Sequence, residues 1–299
     1  EFEILTMQSV EGFSVGYGIE GQDSSGNSVN YTKSIIGAVY GGNNQGGMTQ
    51  TTNVTINGGG VQDVYGGGDQ AISGKTNVNI NGQVKKRVFG EGKPLLCVPV
   101  METKKEDIIR EVVALSQSEV DMIEWRVDAY DSFADCNAVR EVLEAVAPVL
   151  KEKLFLYTFR TKRQGGEASV DAELLDDLHD LAAESGCVDL VDMEYFEEEK
   201  PAAKIRHLQK QGIKVVASHH DFDETPSIDV MKMLLVQMSM GGADVVKLAV
   251  MPQDEMDVLN LLIATAEFHH DNKEIPLITM SMGGLGSISR LCGEHLDRV

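Results

Sequence analysis

From residue 95 onward, short apolar runs alternate with longer stretches in which apolar positions recur every three or four residues. Runs of the first kind predict strands and stretches of the second kind predict helices. The predicted strands are 95–101, 122–128, 154–160, 190–195, 214–221, 245–251 and 276–282. Helical stretches lie between them, for example 105–117, 135–147, 171–185, 226–240 and 254–270. Strands that are apolar along their whole length and alternate with helices indicate a parallel sheet covered on both faces.

This alternation favours a (β/α)8-type (TIM) barrel over a doubly wound sheet. A doubly wound sheet would need a glycine-rich fingerprint after its first strand, and Val100-Met101-Glu102-Thr103 is not one. The sequence stops at Val299, after the seventh predicted strand. We therefore expect an α/β barrel over residues 85–299 that is incomplete at its C-terminus, because a seven-stranded barrel leaves two unpaired edges.

Residues 1–84 have a different pattern, with 18 of the 30 glycines and none of the prolines or cysteines. Val39-Tyr40-Gly41-Gly42 precedes Thr52-Asn53-Val54-Thr55-Ile56-Asn57-Gly58, and a similar pair follows 24 to 25 positions later, at 64–68 and 76–82. Each unit predicts a short strand that ends in a turn. We predict a glycine- and asparagine-rich all-β repeat segment, solenoid-like and similar to repeats of bacterial surface proteins.

Charge and cysteine content narrow the function classes. The net charge of −21 argues against a nucleic-acid partner, because phosphate contacts require a basic surface. No apolar run is long enough to predict a membrane span. The four cysteines are far apart and show no metal-binding or disulfide spacing. Free thiols favour a cytoplasmic location, although the repeats leave a surface or secreted protein as an alternative.

Several charged residues interrupt the apolar strands of the second part. Glu124 and Arg126 are two positions apart and so face the same side of their strand. Lys247 lies within a strand, Arg160 ends one, and His219-His220-Asp221 end another. Such groups are costly to bury without partners, and active sites of barrels form at the carboxyl ends of the strands. The pattern therefore predicts a catalytic site there.

Lys247 suggests the chemistry. We expect desolvation and cationic neighbours to lower the pKa of a lysine inside a barrel, which would free its amine to attack a ketone and form a Schiff base. A histidine on the neighbouring strand, either His219 or His220, would serve as the general base.

After the last strand, the glycine-rich loop 283–287 and Arg290 predict an anion site. Gln164-Gly165-Gly166-Glu167 is interpreted as a lid with glycine hinges.

Five motifs in this order resemble the type I 3-dehydroquinate dehydratases. They are Glu124-Trp125-Arg126-Val127-Asp128, Thr158-Phe159-Arg160, Ser218-His219-His220-Asp221-Phe222, Lys247-Leu248-Ala249-Val250-Met251-Pro252-Gln253, and Thr279-Met280-Ser281-Met282 with Ser289-Arg290. The resemblance covers about residues 83–299. It implies a hydro-lyase of the shikimate pathway that removes water from 3-dehydroquinate by syn elimination, through a lysine Schiff base, to give 3-dehydroshikimate.

The resemblance also assigns roles. Lys247 would form the imine and His220 would move the proton. The substrate would be bound by Glu124, Arg126, Arg160, Arg290, Met280 and Met282. It implies a cytoplasmic homodimer that acts on a small-molecule substrate and needs no metal or organic cofactor.

Two departures from the family pattern concern the site. Gln164 stands where many relatives carry a Glu that is thought to hydrogen-bond the catalytic histidine, and Pro99 stands where some carry a Ser.

The residues by themselves leave two other functions open. One is another Schiff-base barrel enzyme of the class I aldolase type. The other is a repeat-bearing surface or binding protein with an inactive, truncated barrel.

Overall fold

The computed structural model describes short strand segments between residues 19 and 88, and then residues 94–150 and 152–291. The chain divides into two compact units, residues 1–88 and residues 89–299. The sequence predicts the boundary at 84.

The first unit contains only strands among its described residues. They are β1 (Ile19–Gln22), β2 (Ser28–Tyr31), β3 (Ile36–Tyr40), β4 (Met48–Ile56), β5 (Val61–Tyr65), β6 (Ile72–Ile80), β7 (Gln83–Val84) and β8 (Arg87–Val88). β4 and β6 pair in parallel with Val54 opposite Val78, and β3 and β5 pair in parallel with Tyr40 opposite Tyr65. Equivalent positions of the two repeats therefore lie side by side. β1 adds antiparallel pairs with β2 and β4. The solenoid assignment stays a prediction.

The second unit is built on a sheet of seven parallel strands in sequence order. They are β9 (Cys97–Val100), β10 (Met122–Arg126), β11 (Leu154–Thr158), β12 (Leu190–Glu194), β13 (Lys214–Asp221), β14 (Val245–Val250) and β15 (Leu277–Ser281). The described residues contain no eighth strand, and β9 and β15 form the two edges. The prediction of a β/α barrel is confirmed.

Six helices connect these strands. They are α1 (Lys105–Ser116), α2 (Cys136–Val146), α3 (Ala172–Glu184), α4 (Pro201–Lys210), α5 (Ile228–Met240) and α6 (Glu255–Asp271). Aspartates accept N-terminal N–H groups of three of them, namely Asp135 before α2, Asp171 before α3 and Asp254 before α6. No helix among the described residues is long and apolar enough to cross a membrane.

The main core lies between the sheet and the helices. Alternate strand residues point outward and are fully buried there, among them Trp125, Tyr157, Val191, Val215 and Leu248. Because side chains alternate along a strand, the intervening residues face the barrel interior. Those interior positions include every charged strand residue described below.

Two strands end two residues earlier than the sequence predicts. β10 ends at Arg126, where a 3₁₀ turn over Val127–Ala129 begins, and β11 ends at Thr158, two residues before Arg160. After β15, the glycine-rich loop continues as a six-residue 3₁₀ helix, Leu285–Arg290. The chemistry that the sequence assigns to strand ends therefore lies partly in the first residues of the loops.

Candidate active site

The sheet register brings the interior residues together at two levels. Arg126 is opposite Thr158, and Thr158 is opposite Asp192. Nearby, Glu194 is opposite Ser218, and Ser218 is opposite Lys247. Residues that are paired across a parallel sheet share a face, so polar groups from five neighbouring strands line one wall of the barrel.

Lys247 is buried in this wall, with 7% of its surface exposed. Its Nζ donates to Asp192 Oδ2 at 3.0 Å and lies 3.7 Å from Glu124 Oε1. Glu124 Oε1 also accepts a hydrogen bond of 2.8 Å from the Thr158 hydroxyl. A single amine thus lies between two carboxylates in an interior with little solvent.

The expectation that the pKa of Lys247 is lowered is wrong. Burial by itself lowers this pKa, but the carboxylates of Asp192 and Glu124 outweigh burial and raise the pKa of Lys247 above its ordinary value. Arg160 acts in the opposite direction without reversing the result. The cationic neighbours can be foreseen from the sequence, whereas the close approach of the two carboxylates to Nζ cannot. Because of these carboxylates, Lys247 is an ammonium in this arrangement.

Arg160 is at the centre of the ion-pair network. Its Nη2 lies 2.8 Å from Asp192 Oδ1, and its Nη1 donates to Glu194 Oε1 at 3.1 Å. The Ser218 hydroxyl accepts from Arg160 at 3.0 Å and donates to Asp192 at 2.5 Å. Burial lowers the pKa of Arg160, but the two carboxylates raise it overall. Burial acts to raise the pKa of Asp192, but the cations Arg160 and Lys247 keep it well below its usual range.

Sequence reasoning missed Asp192, Glu194 and Ser218 as members of the site. A signal for the two carboxylates was present, because they are two positions apart in an apolar strand, as Glu124 and Arg126 are. Glu194 also accepts from the backbone N–H of Thr161 at 2.8 Å and from its hydroxyl at 2.7 Å. Burial nevertheless raises the pKa of Glu194.

His220 lies on the interior face of β13, next to β14. Its partner across the ladder is Ala249, two residues beyond Lys247. Gln164 Oε1 accepts the backbone N–H of His220 at 3.0 Å and lies 3.1 Å from its Nδ1. The backbone donor fixes the amide oxygen toward His220, so Nδ1 carries the ring proton and Nε2 keeps its lone pair. Burial, together with Arg160 and Lys247, lowers the pKa of His220 well below its ordinary value.

His219 points the other way, away from the interior. Its ring packs against Phe196 with centroids 5.2 Å apart. Burial also lowers the pKa of His219. The structure therefore separates the two histidines that strand alternation alone could not rank.

The loop after β11 is held in place by its contacts. Gln164 is buried at 2% exposure, and Gly165 has a φ of 81°, in the left-handed region that favours glycine. A Cβ on Gly165 would lie 2.1 Å from the Phe222 ring, and one on Gly166 would lie 1.8 Å from the Arg160 carbonyl oxygen. In this structure the glycines permit close packing, which differs from the predicted role as hinges of a lid.

Arg126 is held in a fork by Asp128. Its Nε and Nη2 donate to the two carboxylate oxygens of Asp128, each at 2.9 Å. Asp128 also accepts the backbone N–H groups of Arg160 at 3.1 Å and of Glu167 at 3.0 Å. Burial acts to raise the pKa of Asp128, but these donors lower it overall.

The remaining predicted residues lie toward β15. Met280 is partly buried and is opposite Ala249, at the level of His220. Met282 is buried, and its N–H donates to the Val250 carbonyl at 2.8 Å. Arg290 is exposed at the end of the 3₁₀ helix and forms no ion pair with another described residue. The structure thus brings Glu124, Arg126, Arg160, His220 and Lys247 to one interior wall, with Met280 at the level of His220, and no described hydrogen bond or ion pair joins Arg290 to them.

This arrangement combines a buried amine, a neutral imidazole on the adjacent strand, and cations at the same wall. It suits imine formation followed by proton transfer on a polar carbonyl compound. Within residues 94–150 and 152–291, no group of three or more histidine, cysteine, aspartate or glutamate side chains is arranged to hold a metal ion.

Comparisons with known proteins identify the family. Residues 96–298 match the family model described as type I 3-dehydroquinase. The chain is 40% identical over 211 residues to 3-dehydroquinate dehydratase of Clostridioides difficile strain 630, covering 70% of this chain and 83% of that protein. It is 42% identical over 211 residues to the Listeria welshimeri 3-dehydroquinate dehydratase, with the same coverage of 70% and 83%.

Solved structures agree with the sequence comparisons. A Clostridium difficile type I 3-dehydroquinate dehydratase with covalently modified comenic acid superposes with a TM-score of 0.70 at 40% identity, over 72% of this chain and 85% of that one. The Enterococcus faecalis 3-dehydroquinate dehydratase superposes with a TM-score of 0.69 at 40% identity, over 72% and 90%. The chain belongs to the type I 3-dehydroquinase family.

Proposed function

We propose that the second unit removes water from 3-dehydroquinate through an imine on Lys247, with His220 as the proton-transfer group. One observation carries the proposal: a buried lysine and a neutral, oriented histidine lie on adjacent strands and face the same interior. Family membership favours this reaction over the class I aldolase alternative.

In the proposed sequence, Lys247 first gives its proton to solvent. Its Nζ attacks the C3 ketone of the substrate, and the resulting adduct loses water to form the imine. Nε2 of His220 then removes a proton from C2, and the imine accepts the electron pair of the broken C–H bond. The same imidazole next protonates the C1 hydroxyl, which leaves as water with its bonding electrons. Hydrolysis of the imine releases 3-dehydroshikimate and restores Lys247.

Glu124, Arg126, Arg160, Arg290, Met280 and Met282 are the proposed substrate-binding residues. Glu124 and Arg126 have 14% and 16% of their side-chain surface exposed, which supports direct contact with substrate hydroxyl or carboxylate groups. Arg160 is only 3% exposed and is ion-paired with Asp192 and Glu194. Its proposed part in substrate binding therefore includes holding these two carboxylates in position. Met280 and Met282 would provide the apolar side of the pocket.

A cytoplasmic homodimer is part of the proposal. Cys97 and Cys136 are free thiols, which suits a reducing compartment. Several large apolar side chains are exposed on α5 and α6, which supports self-association. They are Val230, Met233, Met240, Met256 and Leu259. Light scattering coupled to size exclusion would give the mass of the particle, and a monomer at micromolar concentration would contradict the dimer.

Borohydride trapping tests the reaction directly. Protein incubated with 3-dehydroquinate and then reduced should carry one adduct, on Lys247 by peptide mass. Lys247→Ala should carry none, whereas Lys273→Ala, at an exposed lysine, should match the wild type. His220→Ala should still trap the adduct but lose about 10²- to 10⁴-fold in turnover. An adduct on another lysine, or none on folded wild-type protein, would contradict the proposal.

A further inference from the structure

Asp128 is the best-satisfied carboxylate of the site and has no part in the chemistry described so far. Its side chain is fully buried. Oδ1 accepts Arg126 Nε and the Arg160 backbone N–H, and Oδ2 accepts Arg126 Nη2 and the Glu167 backbone N–H. Four donors occupy its acceptor sites, so Asp128 has little capacity left for a substrate.

These four bonds connect parts of the site that come from different elements. Two of them fix Arg126 at the end of β10, leaving Nη1 outside the fork. The third fixes the backbone at Arg160, after β11. The fourth fixes Glu167, at the end of the loop that carries Gln164. That loop is also closed by Lys162 N–H to the Ala168 carbonyl at 3.0 Å and Gly166 N–H to the Thr161 carbonyl at 2.8 Å.

The same loop determines how His220 is held. β12 pairs with β13 only as far as Ser218, so the His220 N–H extends beyond that ladder. Gln164 Oε1 accepts this N–H and faces Nδ1. A displacement of Glu167 would move the loop and with it the only described acceptor of the His220 N–H.

We propose that Asp128 is a positioning residue that couples the Arg126 guanidinium to His220 through the loop 161–168. Carboxylate is needed because all four partners are donors. In Asp128→Asn the side-chain amide would direct N–H groups at two of those donors, whichever way it is turned. Arg126 and the loop would then lose their common anchor. The catalytic part of this inference rests on the proposed function.

The experiment uses the full chain in two variants and one control. Asp128→Asn disturbs both branches. Gly166→Ala leaves the Arg126–Asp128 fork in place and disturbs the loop and the adjoining Arg160 backbone, because its Cβ would lie 1.8 Å from the Arg160 carbonyl oxygen. Asp131→Asn is the matched control, since Asp131 pairs with Lys104 at the surface. Circular dichroism establishes that each variant is folded.

Amide hydrogen exchange is the first readout and needs no substrate. We expect exchange at His220 to rise at least about tenfold in Asp128→Asn and Gly166→Ala and to stay unchanged in Asp131→Asn. His220 is informative because it does not contact Asp128. Should one of the two variants fail to fold, the other still decides the outcome. Unchanged exchange at His220 in a folded variant would overturn the inference.

Kinetics are the second readout. Asp128→Asn should lower kcat about 10- to 100-fold and raise KM, whereas Gly166→Ala should lower kcat with a smaller rise in KM, because Arg126 stays in its fork. Both should keep the trapped adduct on Lys247. A loss of thermal stability with unchanged kcat and KM would leave only a structural role and would overturn the proposal. If the wild type forms no adduct, the proposed function fails, while His220 exchange still tests the coupling.

Discussion

The two residues proposed for the chemistry have pKa values that shift in opposite directions. Burial lowers the pKa of His220, and Arg160 and Lys247 lower it further, so the imidazole is neutral and ready to accept a proton. Asp192 and Glu124 raise the pKa of Lys247, so the amine is charged. In the substrate-free protein the base is therefore ready, and the nucleophile must first lose a proton.

Gln164→Glu should raise the pKa of His220. A carboxylate in place of the amide would lie about 3 Å from Nδ1 and stabilise the imidazolium, a shift of roughly one to three pKa units. Because the reaction needs neutral His220, activity would begin to fall at a higher pH than in the wild type. The acid limb of kcat/KM against pH measures this, with exposed Gln237→Glu as the matched control. An unmoved acid limb would contradict His220 as the titrating base.

Asp192→Asn should lower the pKa of Lys247. The variant removes the charge that lies 3.0 Å from Nζ, while Arg160 stays nearby to oppose protonation. Neutral amine would then exist at lower pH, and the pH midpoint for adduct formation should move down by about one unit or more. Trapping across a pH series measures the midpoint, and exposed Asp229→Asn should leave it in place. A midpoint that moves upward would show that another group controls the amine.

At the scale of elements, each strand of the barrel has two chemically distinct faces. β12 shows this most clearly, because Val191 and Met193 lie in the core beneath the helices while Asp192 and Glu194 line the interior. The helices are positioned by this apolar layer and by the acidic residues at their N-termini. Their ends are therefore places where small changes have measurable effects on stability.

Asp254→Ala should destabilise the protein by about 1 kcal/mol. Asp254 accepts N–H groups of Met256 at 2.9 Å and Asp257 at 3.1 Å, and these donors would lose their partner. In a unit of this size the melting temperature should fall by about 2–4 °C. Asp271→Ala, at the opposite end of α6, should leave it unchanged or raise it slightly, because an acidic residue is unfavourable there. Equal losses at both ends would rule out capping as the cause.

Hydrophobic periodicity was sufficient to predict the seven strands and the barrel, because burial on both faces leaves a strong pattern. It could not predict the early ends of β10 and β11, where local 3₁₀ turns and the hydrogen bonds of Asp128 prevail over apolar character. Strand alternation could not decide whether His219 or His220 is the general base, and the motif resemblance selected His220. The predicted direction of the pKa shift of Lys247 was wrong because the pKa depends on Asp192. Asp192 is 55 residues away in the sequence, and only the pairing of the strands brings its side chain to Lys247.

At the scale of the whole molecule, the described residues of the second unit contain one buried imidazole outside the site. His179 on α3 is 2% exposed, and neither ring nitrogen has a hydrogen-bond partner. Burial and the nearby Lys204 lower its pKa to about 3. Protonation of His179 is thus far less favourable in the folded protein than in the unfolded chain, which makes folding sensitive to acid.

His179→Leu should remove part of the acid sensitivity. The unfolded chain binds this proton below about pH 6.5 and the folded protein only near pH 3, so stability is complete above pH 6.5 and falls as pH decreases toward 3. The integrated loss is on the order of 5 kcal/mol. Denaturant unfolding at several pH values measures the slope. Exposed His270→Leu should keep the wild-type slope, and an unchanged slope in His179→Leu would refute the assignment.

The pair of carboxylates around Lys247 has a consequence for the covalent stage of the proposed reaction. An ammonium and a protonated imine carry the same single positive charge on the same nitrogen. Asp192 and Glu124 therefore interact with the same positive charge before and after the carbon–nitrogen bond forms. The surrounding dipoles need no reorientation on covalent attachment. During attachment, the carboxylates lose their positive partner only in the brief interval in which the nitrogen is neutral.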